Sequence, residues 1–166
     1  MKSPSRAFWC AAVATAALGG CATRYSPRAL ESGATVNDVT ASMGAPTGRY
    51  AMAGGGQRVE YARGPYGKHT YMLDFDSQGR LTSWQQVLDE PRFNDIRTGM
   101  SRDELLQTIG HPSDTRQIAH QQRTLWSYRY ESPFCKWFQV GLDRQDKVVD
   151  TGYGPDPMCD VNFSNR

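Results

Sequence analysis

The fold of this chain is decided by the stretch Gly99-Met100-Ser101-Arg102-Asp103-Glu104-Leu105-Leu106-Gln107-Thr108-Ile109-Gly110-His111-Pro112. The same pattern stands 66 positions earlier, at Gly33-Ala34-Thr35-Val36-Asn37-Asp38-Val39-Thr40-Ala41-Ser42-Met43-Gly44-Ala45-Pro46. In each copy a hydroxyl residue precedes an acidic residue by three positions, which is the spacing of a capping box at a helix N-terminus. Each copy ends in Gly-x-Pro, which stops a helix because glycine can adopt positive φ and proline cannot continue the turn. The sequence therefore predicts two short helices in two repeated units.

The strands that follow each helix are also repeated, with an offset of 67 positions. Residues 71–76 match residues 138–143, and in both segments every second residue is apolar, as in a half-buried strand. Before these segments, Val59 and Tyr61 match Trp126 and Tyr128. After the turn that follows them, Leu81 matches Val148. Helices this short are not stable alone and need a sheet to pack on. We therefore predict an α+β fold, a tandem repeat of a short helix with three antiparallel strands, the helices on one face of the sheet.

Taken together, these motifs resemble the SmpA/OmlA family of small outer-membrane lipoproteins, the BamE-like domain. The resemblance lies in the helix ending in Gly-x-Pro, the tyrosine-containing strand, the Phe-Asp-x-x-Gly-x-Leu hairpin and a nearby tryptophan, and it covers roughly residues 28–153 in two copies. It implies a non-enzymatic role in envelope maintenance or outer-membrane protein assembly, with the barrel-assembly machinery as a partner. The tandem arrangement is similar instead to the two-domain β-lactamase-inhibitory proteins. That similarity implies an inhibitory or binding module for a periplasmic or secreted enzyme.

The N-terminus has the pattern of a lipoprotein signal peptide. Lys2 and Arg6 precede an apolar run at residues 7–18, and Leu18-Gly19-Gly20-Cys21 is a lipobox. The run is too short to span a bilayer, although it could instead be a helix of the folded domain. Cleavage before Cys21 would leave a cysteine that carries acyl chains. The absence of an Asp after Cys21 favours the outer membrane on its periplasmic side, by analogy with other bacterial lipoproteins.

The chain is accordingly divided into a signal peptide at residues 1–20, a tether at 21–32, a first repeat at 33–88, a second repeat at 89–153 and a tail at 154–166. The second repeat is expected to open with an additional helix over residues 89–96. The signal peptide contains two of the 19 basic residues and none of the 17 acidic residues, so the rest of the chain has a formal net charge of zero. The chain therefore lacks the excess of basic residues that would indicate nucleic-acid binding.

The cysteines suggest one disulfide bond. Cys10 is removed with the signal peptide and Cys21 is acylated, which leaves Cys135 and Cys159 in a compartment that oxidises thiols. The alternatives, a redox or a metal site, would need a closer thiol partner. We therefore expect Cys135 and Cys159 to pair.

The sequence contains little that indicates catalysis or a cofactor. Residues 74–79 begin like a calcium loop, but Gln78 stands at a ligand position, so a hairpin turn is the better interpretation. His69, His111 and His120 share no metal-ligand spacing, and no Gly-x-Ser-x-Gly nucleophile elbow is present. We expect no enzyme activity, no metal and no cofactor.

The remaining candidate is a protein-binding face on the side of the sheets opposite to the helices. The alternation of the strands turns Met72, Trp137 and Gln139 away from the helices, and Trp84 and Tyr153 are expected to join them. Large aromatic side chains on the free side of a sheet favour a docking face. The alternative is that a loop or the C-terminal tail covers them.

Overall fold

The computed structural model describes residues 26–64 and 66–160 of the 166-residue chain. The predicted signal peptide, the lipobox cysteine Cys21 and residues 161–166 of the tail lie outside the described residues. The described part forms two units, each with a short helix and a four-stranded antiparallel sheet. No helix in the described ranges is long and apolar enough to cross a membrane.

The elements follow one another in the same order in both units. The first unit has a short 3-10 helix at Pro27–Ala29, helix α1 at Val36–Met43, and strands β1 (Gly48–Ala51), β2 (Gln57–Ala62), β3 (Thr70–Phe75) and β4 (Leu81–Gln86). The second unit has helices α2 (Glu90–Phe93) and α3 (Arg102–Ile109), then strands β5 (Asp114–Ile118), β6 (Arg123–Arg129), β7 (Lys136–Leu142) and β8 (Val148–Pro155). A 3-10 turn at Ala119–Gln121 joins β5 to β6, and a final short helix, α4, covers Pro157–Asp160.

Both main helices begin with the predicted capping box. The Thr35 hydroxyl accepts from the backbone N–H of Asp38, whose carboxylate accepts from the backbone N–H of Thr35 at 2.8 Å. Ser101 and Glu104 form the same pair, at 3.3 and 2.7 Å. Hydrogen bonds from these hydroxyls lower the pKa of Asp38 and Glu104. The cap chemistry therefore explains why each helix starts where it does.

Both helices end at glycines whose backbone conformation only glycine adopts readily. Gly44 has φ 85° and ψ −166°, and Gly110 has φ 78° and ψ −165°. Positive φ is as predicted, but ψ near −165° lies outside the left-handed helical region that we expected. The extended ψ directs the chain away from the helix axis and into the first strand of each sheet.

The two sheets have the same strand order and the same register. Their strands lie in chain order, β1-β2-β3-β4 and β5-β6-β7-β8. Glu60 pairs with Met72 in the first sheet, and Ser127, 67 positions after Glu60, pairs with Gln139. The same register shift recurs near the end of the third strand, at Asp74/Phe75 and at Gly141/Leu142. Residues at this offset are therefore structurally equivalent, as are residues of β1 and β5 at an offset of 66.

The α+β fold and the repeated sheet unit are confirmed, but each sheet has four strands and not the predicted three. The additional strands are β1 and β5, at the same edge of the two sheets. Strand β5 reads Asp-Thr-Arg-Gln-Ile and is almost wholly exposed, so it lacks the apolar alternation by which the other strands are recognised. Short polar strands of this kind are typical of sheet edges, which they protect from pairing with other chains.

Each unit has its own hydrophobic core between helix and sheet. In the first core Val39 and Met43 of α1 pack on buried residues of the sheet: Val59, Tyr61, Leu73, Phe75 and Leu81. Leu30, from the predicted tether, also packs against this core. In the second core Leu105 and Ile109 of α3 are joined by Phe93 of α2, which stacks on Phe138 with ring centroids 4.2 Å apart. The predicted helix over residues 89–96 therefore belongs to the second unit and is shorter than expected.

Candidate protein-binding face

Each sheet has two faces, which we call the helix face and the rear face. The helix face packs on the helices of its own unit, and the rear face points the opposite way. Along β3 and β7 the side chains alternate between them. Met72, Trp137 and Gln139 lie on rear faces, while their neighbours Leu73 and Phe138 lie in the two cores.

The rear face of the first sheet is covered by the second unit. Met72 is only 1% exposed and Glu60, its partner on the neighbouring strand, is 0% exposed. The C-terminal end of α3 lies on this face, because a Cβ atom at Gly110 would be 2.8 Å from both Glu60 Oε1 and Thr70 Cγ2. Met72 therefore has no surface to offer a partner protein, and its assignment to a binding face is wrong.

Three donors surround the buried Glu60 carboxylate. The backbone N–H of His111 donates to Oε1 at 2.8 Å, and Nδ1 of the same residue lies 2.8 Å from Oε2. The Tyr50 hydroxyl donates to Oε2 at 2.6 Å. Burial and this bond to the carboxylate raise the pKa of Tyr50, and burial with the nearby Glu60 charge raises that of Tyr128. The buried charge of Glu60 is therefore satisfied by hydrogen bonds from both units.

A second polar contact fixes the same junction. Arg58 forms a bidentate ion pair with Asp74 across the rear face, at 2.7 and 2.8 Å. Its Nη1 also donates to the backbone carbonyl of Gln107, near the end of α3, at 3.0 Å. The Asp74 bond raises the pKa of Arg58. A carbonyl of the last helical turn, which has no partner within its own helix, is thus bound by a residue of the other unit.

Trp84 and Tyr153 lie on the helix faces, not the rear faces. Trp84 is opposite Leu73 and contacts Tyr71 edge to face, with ring centroids 6.1 Å apart. Tyr153 is opposite Phe138, with centroids 5.5 Å apart. The expectation that these two residues join the rear faces is wrong, because each pairs directly with a residue of the core and so shares its face. The five candidate residues therefore do not form one surface, and no single rear face extends over both sheets.

The rear face of the second sheet remains open and contains a cavity of about 220 Å³. Gln139 lies at its floor and donates from Nε2 to the Ser127 hydroxyl at 3.1 Å. Gly152, opposite Gln139 on β8, leaves the neighbouring surface bare of side chains, since a Cβ atom there would meet nothing within 4 Å. The cavity is bounded by Asp114, Arg116, Leu125, Trp137, Pro155 and Pro157.

Trp137 is held as a rigid wall of this cavity. The Arg129 guanidinium lies 5.6 Å from the centre of its ring system, and Trp137 is 7% exposed. Arg129 is fixed by a bidentate ion pair with Asp156, in which Nη2 donates to Oδ1 at 2.8 Å. The hydrogen bonds of this pair lower the pKa of Asp156 and raise that of Arg129. Asp156 belongs to the tail, which therefore covers Trp137 while leaving the cavity open.

Cys135 and Cys159 are joined in the structure, with Cα atoms 5.9 Å apart. The bond ties α4 to the start of β7, and the backbone N–H of Asp156 donates to the carbonyl of Cys135 at 2.8 Å. Pro157, the first residue of α4, consequently lines the cavity. The tail is thus part of the candidate face and not a loose end.

Three of the polar residues considered for metal binding, Asp76, His69 and His111, make contacts within the fold. Asp76 accepts from the backbone N–H groups of Gln78 and Arg80, both at 2.9 Å, as expected of a hairpin turn. His69 stacks on Tyr71, and His111 is bound to Glu60. In the part of the chain that the structure describes, no three His, Cys, Asp or Glu residues are placed to hold a metal ion.

The similarity of this chain to known proteins is limited to solved structures. No family model matches it, and no curated protein matches it. Among solved structures it is similar to one described as the osmotically inducible lipoprotein OsmE, at 27% identity and a TM-score of 0.36, over 46% of this chain and 90% of that one. It is also similar to a cysteine-rich secretory protein of Staphylococcus aureus, at 13% identity and a TM-score of 0.30, over 76% of this chain and 45% of that one. Neither similarity covers two thirds of both chains.

Proposed function

We propose that this protein is a lipid-anchored, non-enzymatic envelope protein that binds another protein through the rear face of its second sheet. The observation that carries the proposal is the cavity on that face. It has an apolar wall at Trp137, a hydrogen-bonding floor at Ser127 and Gln139, and a charged rim at Arg116. A rigid aromatic beside a few fixed polar groups is typical of protein-binding sites.

The anchor is proposed from the lipobox at Leu18-Gly19-Gly20-Cys21. Acyl chains on Cys21 would hold the two units at the periplasmic side of the outer membrane, because several chains bind a bilayer far more durably than one. The residues between Cys21 and the first unit are mostly polar and would serve as a short tether. A partner at the same membrane would then meet the rear face at high local concentration.

The anchor is tested by metabolic labelling with a palmitate analogue. Cys21→Ser should abolish labelling and release the protein from the membrane, whereas Cys10→Ser, in the predicted signal peptide, should leave both unchanged. Continued labelling of the Cys21→Ser protein would contradict the anchor.

The binding face is tested by affinity capture of the lipidated protein from detergent-solubilised membranes. Arg116→Glu at the exposed rim of the cavity should reduce capture of the partner, while Gln145→Arg, in the hairpin between β7 and β8, should not. The resemblance described above makes subunits of the barrel-assembly machinery the first candidates to look for. Equal capture by both variants would count against this face.

A further inference from the structure

The first sheet already uses its rear face as a binding site for a helix end. Its Glu60 accepts two hydrogen bonds from His111, and its Arg58 donates to the carbonyl of Gln107. Gly110 touches the sheet so closely that it could carry no side chain without displacing Glu60. A rear face of this fold therefore recognises the C-terminal end of a helix and the Gly-x-Pro segment after it.

The cavity on the second sheet lies at the equivalent place. Six of the residues that line it are Asp114, Arg116, Leu125, Ser127, Trp137 and Gln139. The equivalent positions of the first sheet hold Gly48, Tyr50, Arg58, Glu60, Thr70 and Met72. Of these, Arg58, Glu60 and Thr70 lie against the end of α3 or the segment after it. The second sheet thus leaves open the place that α3 occupies on the first.

The complementary element is exposed in the first unit. Helix α1 is followed by Gly44, Ala45 and Pro46, the equivalents of the segment that docks after α3. Gly44 and Ala45 are exposed, and a Cβ atom at Gly44 would meet nothing within 4 Å. The first unit therefore has a helix end that contacts no rear face in the described residues.

The residues that differ between the two sites differ in a matched way. At the occupied site the charged Glu60 faces His111, whereas the equivalent residues at the open site and the free helix end are Ser127 and Ala45. At this position, docking of the free end would therefore bury no charge without a partner, which is the main cost of an imperfect polar interface.

A second matched difference lies one helical turn earlier. Arg58 faces the Gln107 carbonyl at the occupied site, and the equivalent residues are Leu125 on the second sheet and Ala41 on α1. Leu125 cannot donate to the backbone carbonyl of Ala41 as Arg58 does to that of Gln107, but the side chains of Leu125 and Ala41 are both apolar and can pack together. Ala41 is exposed and Leu125 is half-buried, so both have apolar surface to bury.

From this complementarity we infer that the protein assembles head to tail, with residues 41–46 of one copy docked on the rear face of the second sheet of the next copy. The inference rests on the proposed function, since it names the partner of that face. The contact uses two different surfaces, so every copy in an assembly can both give a helix end and receive one. The expected product is a short row of copies on the membrane.

The test is photo-crosslinking in cells that make the full-length chain with p-benzoylphenylalanine in place of Ala45. Crosslinked dimers and larger species should form, and the crosslink should map to strands β6 and β7 of the second copy. Gly152→Arg, which fills the bare surface beside Gln139, should reduce the crosslinked product about tenfold. Gln145→Arg adds the same charge outside the face and should leave the yield unchanged; Arg116→Glu replaces Gly152→Arg if that variant does not fold.

A mixed experiment tests the head-to-tail geometry. One copy carries the probe at position 45 together with Gly152→Arg, and a second, differently tagged copy carries Ala45→Arg with an intact rear face. The first can only give a helix end and the second can only receive one, so crosslinking should stop at a dimer that contains both tags.

Self-assembly would be overturned by a missing crosslink, by a crosslink that maps to another surface, or by a yield insensitive to both face variants. A second probe in place of Arg116 separates this failure from that of the proposed function. If the probe at position 116 crosslinks to a different envelope protein, then the rear face of the second sheet binds a partner, and that partner is not a second copy of this chain. If neither probe crosslinks to any protein, both proposals fail.

Discussion

The buried carboxylate of Glu60 in the first unit is bound by His111 of the second unit, through the backbone N–H and through Nδ1, each at 2.8 Å. These residues are 51 positions apart in the chain. Because Glu60 is 0% exposed, its charge has no access to water and depends on these donors and on Tyr50. The pair therefore holds the second unit against the rear face of the first sheet, whereas the rear face of the second sheet is left open in the described residues.

Glu60→Gln should destabilise the protein by about 2 kcal/mol, because a neutral amide replaces an acceptor of charge-assisted hydrogen bonds and places an NH₂ group against a donor. The measurement is urea unfolding followed by circular dichroism. Glu31→Gln, at an exposed position, is the matched control and should unfold at the wild-type urea concentration. Coincident unfolding curves for Glu60→Gln and wild type would show that the pair does not stabilise the junction.

The local design of each unit could be predicted from the sequence, because it is encoded in short-range patterns. Thr35 and Ser101 predicted the helix starts, and the alternation in β3 and β7 predicted which of their residues face the core. The edge strands β1 and β5 were missed because short, polar strands carry no such alternation. Trp84 and Tyr153 were misplaced because the faces of edge strands β4 and β8 were inferred from neighbours and not from a pattern of their own.

The way the units pack on each other could not be predicted, because it depends on contacts far apart in the chain. The sequence indicates of His111 only that it shares no metal-ligand spacing with the other histidines, and Glu60 belongs to no motif. Strand β2 contains Gln57 and Arg58 as well, and a charged residue between Val59 and Tyr61 is the ordinary pattern of a strand with one solvated face. The sequence therefore indicates neither that Glu60 is buried nor which residue it contacts.

The ion pair between Arg129 and Asp156 should make stability depend on pH in the acid range. Hydrogen bonds from Arg129 lower the pKa of Asp156 in the folded protein, so the unfolded chain binds the proton more readily. The contribution is fully present above the unfolded pKa of about 4 and is lost as the pH falls through the lower, folded pKa. The free energy of unfolding should therefore rise with pH in that window.

Asp156→Asn removes this titration and leaves Arg129 without its buried counter-charge. We expect a loss of about 2 kcal/mol at neutral pH, and a smaller loss on acidification than in the wild type. Urea unfolding at several pH values between about 2 and 6 measures both effects. Asp103→Asn, on the exposed surface of α3, should keep the wild-type acid dependence. An unchanged slope in Asp156→Asn would contradict this assignment.

If the protein is exported as proposed, the bond between Cys135 and Cys159 should form completely, and it should stabilise the fold. The cysteines are 24 positions apart. In the chain-entropy account, closing a loop of that size lowers the entropy of the unfolded chain and so stabilises the fold by about 3 kcal/mol. Thiol labelling of the denatured, unreduced protein, after removal of the proposed signal peptide, should find no free cysteine. The double variant Cys135→Ser/Cys159→Ser should unfold at a lower urea concentration, and a reactive thiol in the wild type would refute the bond.

The repeated glycines Gly44 and Gly110 offer a matched pair of substitutions that isolates the packing of one unit on the other. Both have positive φ and extended ψ, so alanine at either position should cost about 1–2 kcal/mol in backbone strain. A Cβ atom at Gly44 would meet nothing, whereas one at Gly110 would be 2.8 Å from Glu60 Oε1. Gly110→Ala should therefore lose roughly 1–2 kcal/mol more stability than Gly44→Ala, because its methyl group overpacks the junction between the two units.

Urea unfolding of the two variants measures this difference directly, since the strain common to both positions cancels. Combining Gly110→Ala with Glu60→Ala should recover part of the additional loss, because the carboxylate that the new methyl group displaces is then absent. Combining Gly44→Ala with Glu60→Ala should show only additive losses of stability, because Gly44 and Glu60 share no contact. Equal stabilities for Gly44→Ala and Gly110→Ala would mean that the end of α3 does not pack on the first sheet in solution. The head-to-tail assembly would then lose its main support, which is the packing of the end of α3 on the first sheet within one copy.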